Sequence, residues 1–238
     1  MYRLAFFTFF LCNLSAAQEL IFIDTNTRSL PWMKIENDQI TQGFIKDSAD
    51  AIAAQLGYTA KVKAYPRKRL AAILNAGQAD LLCFMRPEWI SADVNWSDTM
   101  AWDADAIVTR RNTPAIKQIS DLKHQAVNTV LGYSYPEIEK VLAENFVRFD
   151  GLSEEISLIN LTNRRNDFAV LSETYYRYQL KTHPQRTILN PNYLLIGPKA
   201  PLRCALSKKS TLKIEQLNQA LEQLNKNRTL EKIYNRYR

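Results

Sequence analysis

Residues 44–85 read FIKDSADAIAAQLGYTAKVKAYPRKRLAAILNAGQADLLCFM, and this stretch decides the fold class. Its apolar side chains recur at helical spacing from Phe44 to Leu56, and Gly57 follows where such a helix would end. Residues 58–65 then alternate between apolar and polar side chains, which is typical of a strand with one exposed face. A helix and a strand are therefore predicted in direct succession.

The alternation of helices and strands continues on both sides of this pair. Pro66 opens a second helix, residues 80–85 form an apolar strand, and residues 20–23 form another strand upstream. The order strand, helix, strand, helix, strand predicts a parallel sheet with helices packed on its faces.

A second unit with the same alternation follows a charged break at residues 110–112. Residues 134–137 are predicted to cap its first helix, because a serine stands three positions before a glutamate and an early proline lies between them. Strands are predicted at 127–131, 146–149 and 167–171, with later helices at 154–163 and 172–180.

The last segments, including an amphipathic helix at residues 212–224, are expected to pack back on the first unit. The prediction is an α/β protein of two Rossmann-like lobes, with mixed, mostly parallel sheets, joined by a hinge of two chain crossings. Such lobes can close on a ligand. Lobe 1 is assigned residues 18–109 and 197–238, and lobe 2 residues 110–196, with the crossings near 109–112 and 194–198.

Residues 1–17 differ from the rest of the chain. Arg3 is their only charge, residues 4–14 are almost entirely apolar, and Ser15 to Ala17 are small. This pattern predicts a cleaved secretory signal peptide and a periplasmic protein. The apolar run is too short for a stable transmembrane helix. A buried N-terminal strand or a membrane anchor is the alternative.

Composition narrows the classes of function. A hydrophobic fraction of 46% and a charged fraction of 23% fit a globular chain and exclude disordered and collagen-like classes. The net charge is +7, but the basic residues are dispersed, so no nucleic-acid partner is expected. Only two histidines occur, and no metal or cofactor is expected. Cys83 and Cys204 could form a disulfide in an oxidising compartment or remain two buried thiols.

Several short motifs resemble those of one protein family in order and spacing. They are Pro31-Trp32, Gly43-Phe44, Leu56-Gly57, Arg69, Asp80-Leu81, Trp96-Ser97, Asp167 to Val170, and Leu230 to Tyr234. Together they resemble the bacterial extracellular solute-binding proteins of family 3, which have the type II periplasmic binding fold. The resemblance covers essentially all of the chain after residue 17, and it implies capture of a small solute in a cleft between lobes.

Two positions depart from what the resemblance implies for amino-acid binding. Trp89 stands where the family usually has an arginine for the ligand carboxylate, and Arg86 lies three residues earlier. Ser172, followed by Glu173, stands where an aspartate usually holds the ligand ammonium. The candidate ligands are therefore an amino acid and a small carboxylate.

Candidate ligand-binding residues come from the loops after strands, because ligands of parallel sheets sit beyond the carboxyl ends of the strands. Arg86 could form a bidentate pair with a carboxylate. The loop from Gly132 to Ser134 precedes a helix, whose free N–H groups favour an anion. The full candidate set is Trp32, Arg69, Arg86, Trp89, Gly132, Tyr133, Ser134, Ser172 and Glu173.

The sequence thus predicts a monomeric, non-enzymatic binding protein that delivers a small-molecule ligand to a membrane permease of the ABC type or to a sensor receptor. No nucleophile elbow, phosphate loop or metal-binding helix motif occurs. The alternative is an enzyme on the same fold, similar to periplasmic cyclohexadienyl (prephenate or arogenate) dehydratases, with Glu173 or Glu88 as its acid or base.

Overall fold

The computed structural model describes residues 18–37, 39–114, 116–184 and 186–237. The predicted signal peptide, residues 1–17, lies outside the described residues. The first elements are β1 (Glu19–Thr25), β2 (Lys34–Glu36), β3 (Gln39–Gln42), α1 (Phe44–Leu56), β4 (Thr59–Tyr65), α2 (Leu70–Ala76), β5 (Leu81–Met85), β6 (Val94–Trp96) and β7 (Ala101–Asp103).

Local sequence explains the helices of this first unit. Gly57 ends α1 and Gly77 ends α2, and both have left-handed backbone angles that glycine adopts without strain. The buried face of α1 carries apolar side chains at the predicted spacing. The short hairpin of β2 and β3 lies in a segment where no strand was predicted.

The second unit continues the chain through a separate sheet. Its elements are β8 (Asp105–Thr109), β9 (Ala126–Val130), α3 (Pro136–Leu142), β10 (Val147–Gly151), α4 (Glu154–Thr162), β11 (Phe168–Ser172), α5 (Glu173–Thr182) and β12 (Leu194–Leu195). The chain then returns to the first unit through β13 (Ala200–Ser207), α6 (Ile214–Lys226) and α7 (Thr229–Arg236).

The two large sheets confirm the predicted α/β class. The first has the order β4-β1-β5-β13-β6, with β7 also paired to β13, and the second has the order β10-β9-β11-β8-β12. Within the first sheet β1 runs parallel to β4 and β5, whereas β13 is antiparallel to β5. The returning strands β8 and β13 therefore make both sheets mixed.

The assignment of residues 105–109 to lobe 1 is wrong. Strand β8 pairs with β11 and β12 in the second sheet, so the first crossing lies at Ala104, between β7 and β8. Because a single residue separates the two strands, the sequence shows one continuous extended run. We use "lobe 1" and "lobe 2" below for the units built on the first and second sheets.

The core of lobe 1 includes a disulfide between Cys83 of β5 and Cys204 of β13. The largest cluster of buried side chains extends from lobe 1 into lobe 2, where Leu158 and Tyr175 belong to it. The lobes therefore share apolar contacts as well as two crossings. Among the described residues, no helix has the length and apolar character needed to span a bilayer.

Candidate functional site

A small cavity lies between the two lobes. Its free volume is about 30 Å³, which holds roughly two water molecules. Lobe 1 contributes Arg28, Trp32, Arg67, Phe84, Trp89 and Leu202, and Asp103 lies at the first crossing. Lobe 2 contributes Asp105, Tyr133, Ser134, Tyr135, Glu154, Val170, Leu171 and Ser172.

The cavity lies at the carboxyl ends of parallel strands in both sheets. Arg28 follows β1 and Trp89 follows β5, while Tyr133 follows β9 and Ser172 ends β11. This is the edge at which parallel sheets bind ligands. The strands therefore direct side chains from both lobes toward one point.

Three polar contacts join the lobes around this cavity. The indole Nε1 of Trp32 donates to Oγ of Ser172 at 3.2 Å. The hydroxyls of Thr27 and Tyr133 lie 3.2 Å apart. Arg86 lies 3.5 Å from Glu137. The cavity is thus closed by specific bonds between side chains of the two lobes.

Trp32 forms the apolar wall of the cavity. It is only 1% exposed and packs against the rings of Phe44 and Phe84. The guanidinium of Arg28 lies 4.6 Å from the centre of the Trp32 ring, a cation–π contact. Arg28 in turn pairs with the buried carboxylate of Asp24 at 3.1 Å. Trp32 therefore lies where the sequence placed it, and its contact with a ligand stays a prediction.

Arg86 does not line the cavity. Its guanidinium is buried, donates to the carbonyl of Asp103 at 3.0 Å, and stacks 4.6 Å from the ring centre of Trp89. Together with the Glu137 pair, these contacts tie β5 to the first crossing and to α3. Arg86 is therefore placed to hold the lobes together rather than to meet a ligand.

Arg69 also lies away from the cavity, and Arg67 takes its place. Arg69 is exposed and stacks on Tyr65, whereas Arg67 is half-buried and lines the cavity. Arg67 donates to the carbonyl of Trp89 at 3.0 Å, and its guanidinium lies 5.1 Å from the ring centre of Tyr133. A single 3₁₀ turn at residues 67–69 directs the two arginines to different sides.

The loop after β9 reaches the cavity through two of its three predicted residues. Tyr133 and Ser134 line the cavity. Gly132 does not line it and lies beside Arg67: a Cβ atom placed on Gly132 would be 3.7 Å from the Arg67 side chain. The predicted capping role of Ser134 is wrong, because α3 begins one residue later than expected. Tyr135 occupies the N-cap position, and no side chain caps the helix there.

Ser172 and Glu173 have different surroundings. Ser172 lines the cavity and caps α5 by accepting from the Tyr175 N–H at 3.2 Å. Glu173 points to the second crossing, where Lys199 lies 2.6 Å away and the hydroxyl of Tyr193 donates at 3.1 Å. Burial disfavours its charge, but the contacts with Lys199, Tyr193 and Arg177 together outweigh burial and lower its pKa. Glu173 is thus a brace of the crossing.

Three carboxylates that were not predicted as site residues also line the cavity. Burial raises the pKa of Asp103 to about 6 and those of Asp105 and Glu154 to about 7. Asp103 accepts from the N–H and hydroxyl of Thr174, at 3.2 and 3.0 Å. Glu154 accepts from the N–H of Ser172 at 2.7 Å. The cavity is therefore acidic on its lobe 2 side.

Asp105 differs from the other two carboxylates in its partners. Among the described residues, no donor makes a hydrogen bond to its side chain, and Arg86 is the nearby cation that favours its charge. A carboxylate removed from water gains most from a charged donor. Asp105 is thus the side chain best placed to receive a cationic group. No cluster of metal-ligand side chains occurs in the described part of the chain.

Residues 21–238 match the sequence model of the bacterial extracellular solute-binding proteins, family 3. No curated protein sequence matches the chain. Among solved structures, the chain is similar to an ancestral arginine-binding protein bound to arginine, with 24% identity, a TM-score of 0.78, and coverage of 93% of this chain and 99% of that one.

Two further structures extend this likeness. An ancestral arginine-binding protein bound to glutamine is 25% identical, with a TM-score of 0.73 and coverage of 92% and 97%. The periplasmic VFT2 domain of Bordetella pertussis BvgS is 17% identical, with a TM-score of 0.72 and coverage of 93% of both chains. The fold is therefore shared along nearly the whole chain.

Proposed function

Because the chain belongs to the bacterial extracellular solute-binding proteins, family 3, we propose that it captures a small polar solute carrying a protonated amine between its two lobes. The observation that carries this proposal is Asp105, a cavity carboxyl group to which no described residue donates a hydrogen bond. Asp103 and Glu154 line the same cavity, so its lobe 2 side offers several oxygen acceptors to a cationic group.

The amine is assigned to the lobe 2 side of the cavity. Asp105 has no hydrogen-bond donor among the described residues, and Glu154 is bonded by Ser172, whose N–H donates to one carboxylate oxygen at 2.7 Å. A ligand ammonium placed between these carboxylates would form charge-assisted hydrogen bonds. Such a cation would also lower the pKa of both carboxyl groups, because an opposite charge favours their ionised form.

A carboxylate on the same ligand would meet the lobe 1 side. Arg67 is the better placed arginine, since its guanidinium donates, among the residues that the structure describes, only to a backbone carbonyl and to the sulfur of Met85, whereas Arg28 is paired with Asp24. Tyr133 and Ser134 supply hydroxyls beside it. An amino acid fits this arrangement, and the two ancestral proteins of similar fold are bound to arginine and glutamine.

Ligand entry requires the lobes to separate. The cavity has a free volume of about 30 Å³, which is less than the volume of any amino acid, because an amino acid occupies the space of several water molecules. The crossings at Ala104 and at residues 196–199 are the segments available to act as a hinge. Opening breaks the contacts of Trp32 with Ser172 and of Thr27 with Tyr133.

We further propose that the mature protein works in the periplasm and delivers its ligand to a membrane permease. A sensor receptor is the other candidate recipient, and a periplasmic sensor domain shares the fold. The dehydratase alternative is weakened, because Glu173 is engaged by Lys199 outside the cavity and Glu88 is exposed.

A thermal-shift screen tests the proposed ligand class. A ligand that binds only the folded protein raises the melting temperature by mass action. We expect amino acids or other amines to raise it, and organic acids without an amine to leave it unchanged. Calorimetry with the best ligand then gives its affinity. Stabilisation by organic acids alone would contradict the proposal, and turnover of prephenate would restore the enzyme alternative.

A further inference from the structure

Strand β10 ends the second sheet. Within the described residues it pairs only with β9, in parallel register from Val147 opposite Ala126 to Gly151 opposite Val130. Its outer edge therefore carries backbone groups that no other described strand bonds. Edge strands of this kind can pair with another chain.

The register shows which backbone groups face outward. The carbonyl of Gly151 accepts from the N–H of Leu131, on the β9 side. In a parallel ladder, alternate residues direct both backbone groups to the same neighbour. Phe149 and Val147 therefore also face β9, whereas Arg148 and Asp150 direct their N–H and C=O groups to the open edge.

A group of exposed apolar side chains lies beside this edge. A Cβ placed on Gly151 would lie 3.1 Å from Ile156, so this face of β10 is the one covered by α4. Val147 and Phe149 share that face, because side chains alternate along a strand. The exposed fractions are 44% for Val147, 45% for Phe149, 70% for Leu152, 39% for Ile156 and 38% for Ile159. We call these five residues the β10 patch.

In place of the monomer expected from the sequence, we propose that a second copy of this chain pairs with β10, antiparallel, about a two-fold axis at Phe149. In this register Arg148 of each copy lies opposite Asp150 of the other, and the outward backbone groups of both residues form hydrogen bonds. Phe149 lies opposite its own copy in a pair without backbone bonds, where side chains are closest. The two β10 patches then meet and the two sheets become continuous.

Charge selects both the second copy and the register. Arg148 lies 2.8 Å from Asp150 of its own chain and also donates to the carbonyls of Tyr133 and Val130, so the two-fold axis places this fixed pair of charges beside the same pair of the other copy. An axis at Arg148 or at Asp150 would instead place like charges opposite each other, which is unfavourable. The strand is thus complementary to itself in one register, as a two-fold interface requires. The exposed apolar side chains supply the area that such an interface buries.

Analytical ultracentrifugation of the chain without its predicted signal peptide, residues 18–238, from low to high micromolar concentration, tests the proposal. We expect a concentration-dependent dimer. Phe149→Lys should weaken dimerisation at least about tenfold, while circular dichroism shows the variant to be folded. Trp102→Lys is the matched control, because Trp102 is an exposed aromatic residue of lobe 1. This substitution should leave the dimerisation constant unchanged. A monomer at every concentration, or a dimer insensitive to Phe149→Lys, would overturn the proposal.

Cross-linking tests the register. In the chain without residues 1–17, whose two cysteines are paired with each other, Phe149→Cys should form an intermolecular disulfide on mild oxidation, because residues in this kind of pair lie within disulfide reach. Asp150→Cys should cross-link much less, since it faces Arg148 of the other copy. Equal cross-linking at both positions would overturn the assigned register. A wild-type chain that stays monomeric and binds lipid vesicles through the β10 patch would overturn the assigned partner.

Discussion

The indole nitrogen of Trp32 lies 3.2 Å from the hydroxyl oxygen of Ser172, and this hydrogen bond joins the two lobes across the cavity. Ser172 also accepts from the backbone N–H of Tyr175 and thereby caps α5. The buried wall of lobe 1 is thus bonded directly to the start of a lobe 2 helix. Closure of the lobes is coupled to the position of one aromatic side chain.

Trp32→Phe should therefore favour the open arrangement of the lobes. The substitution retains an aromatic ring among Phe44 and Phe84 but removes the donor to Ser172. We expect a loss of about 0.5–1.5 kcal/mol in stability from the hydrogen bond, plus a packing loss from the smaller ring. Small-angle scattering with and without ligand should show a larger radius for the variant. Trp102→Phe, at an exposed position, is the control, and equal radii for wild type and Trp32→Phe would contradict the expectation.

Arg67→Gln should weaken the binding of amino acids by more than about tenfold, because a buried charge-assisted bond to the carboxylate is lost. Arg69→Gln is a matched control, since this arginine lies two residues away on the exposed side of the same turn. Isothermal titration calorimetry measures both affinities. If the two variants lose affinity equally, general charge rather than a defined contact attracts the ligand.

The buried carboxyls predict a dependence of stability on pH. Asp105 has its pKa raised to about 7 by burial, from an ordinary value of 3.8, and that of Glu154 is also raised to about 7. The folded protein then keeps protons that the unfolded chain has released. Stability from these groups should fall as the pH rises from about 4 to about 7 and level off above that.

Asp105→Asn tests this dependence, because the variant side chain cannot ionise. Without ligand, the loss of unfolding free energy between pH 5 and pH 8 should be smaller in the variant by at least about 1 kcal/mol. The pKa of Glu173 is lowered, so this group adds stability as the pH rises and cannot cause the fall. Urea unfolding at each pH gives the free energies. Asp98→Asn, at an exposed aspartate, should keep the wild-type slope, and an unchanged slope in Asp105→Asn would refute the assignment.

Local pattern was enough to predict most of the fold. The helix from Phe44 to Leu56 matches α1 because both its apolar spacing and Gly57 lie within one stretch. The assignment of β8 failed because a crossing of one residue leaves no break in the pattern. Membership of a strand in a particular sheet depends on distant partners, here β11 and β12.

The site was less predictable, because it depends on how the lobes approach each other. Trp32 and Ser172 follow strands in the usual way and were selected. Glu154 was read only as part of a helix, where an acidic first turn is ordinary, and only its burial reveals a place at the cavity. Arg67 and Arg69 belong to one basic cluster, and spacing does not tell which of them a 3₁₀ turn directs inward.

The disulfide between Cys83 and Cys204 joins residues 121 positions apart, and the loop that it closes contains all of lobe 2. A cross-link of this span restricts the unfolded chain strongly, so replacing both cysteines with alanine should lower the free energy of unfolding by about 2–5 kcal/mol. Urea unfolding followed by tryptophan fluorescence measures the loss. A thiol count on the denatured, unreduced chain without residues 1–17 should find neither Cys83 nor Cys204 free. Two free thiols would show that the bond is absent, and equal midpoints with and without reductant would show that it does not stabilise the folded protein.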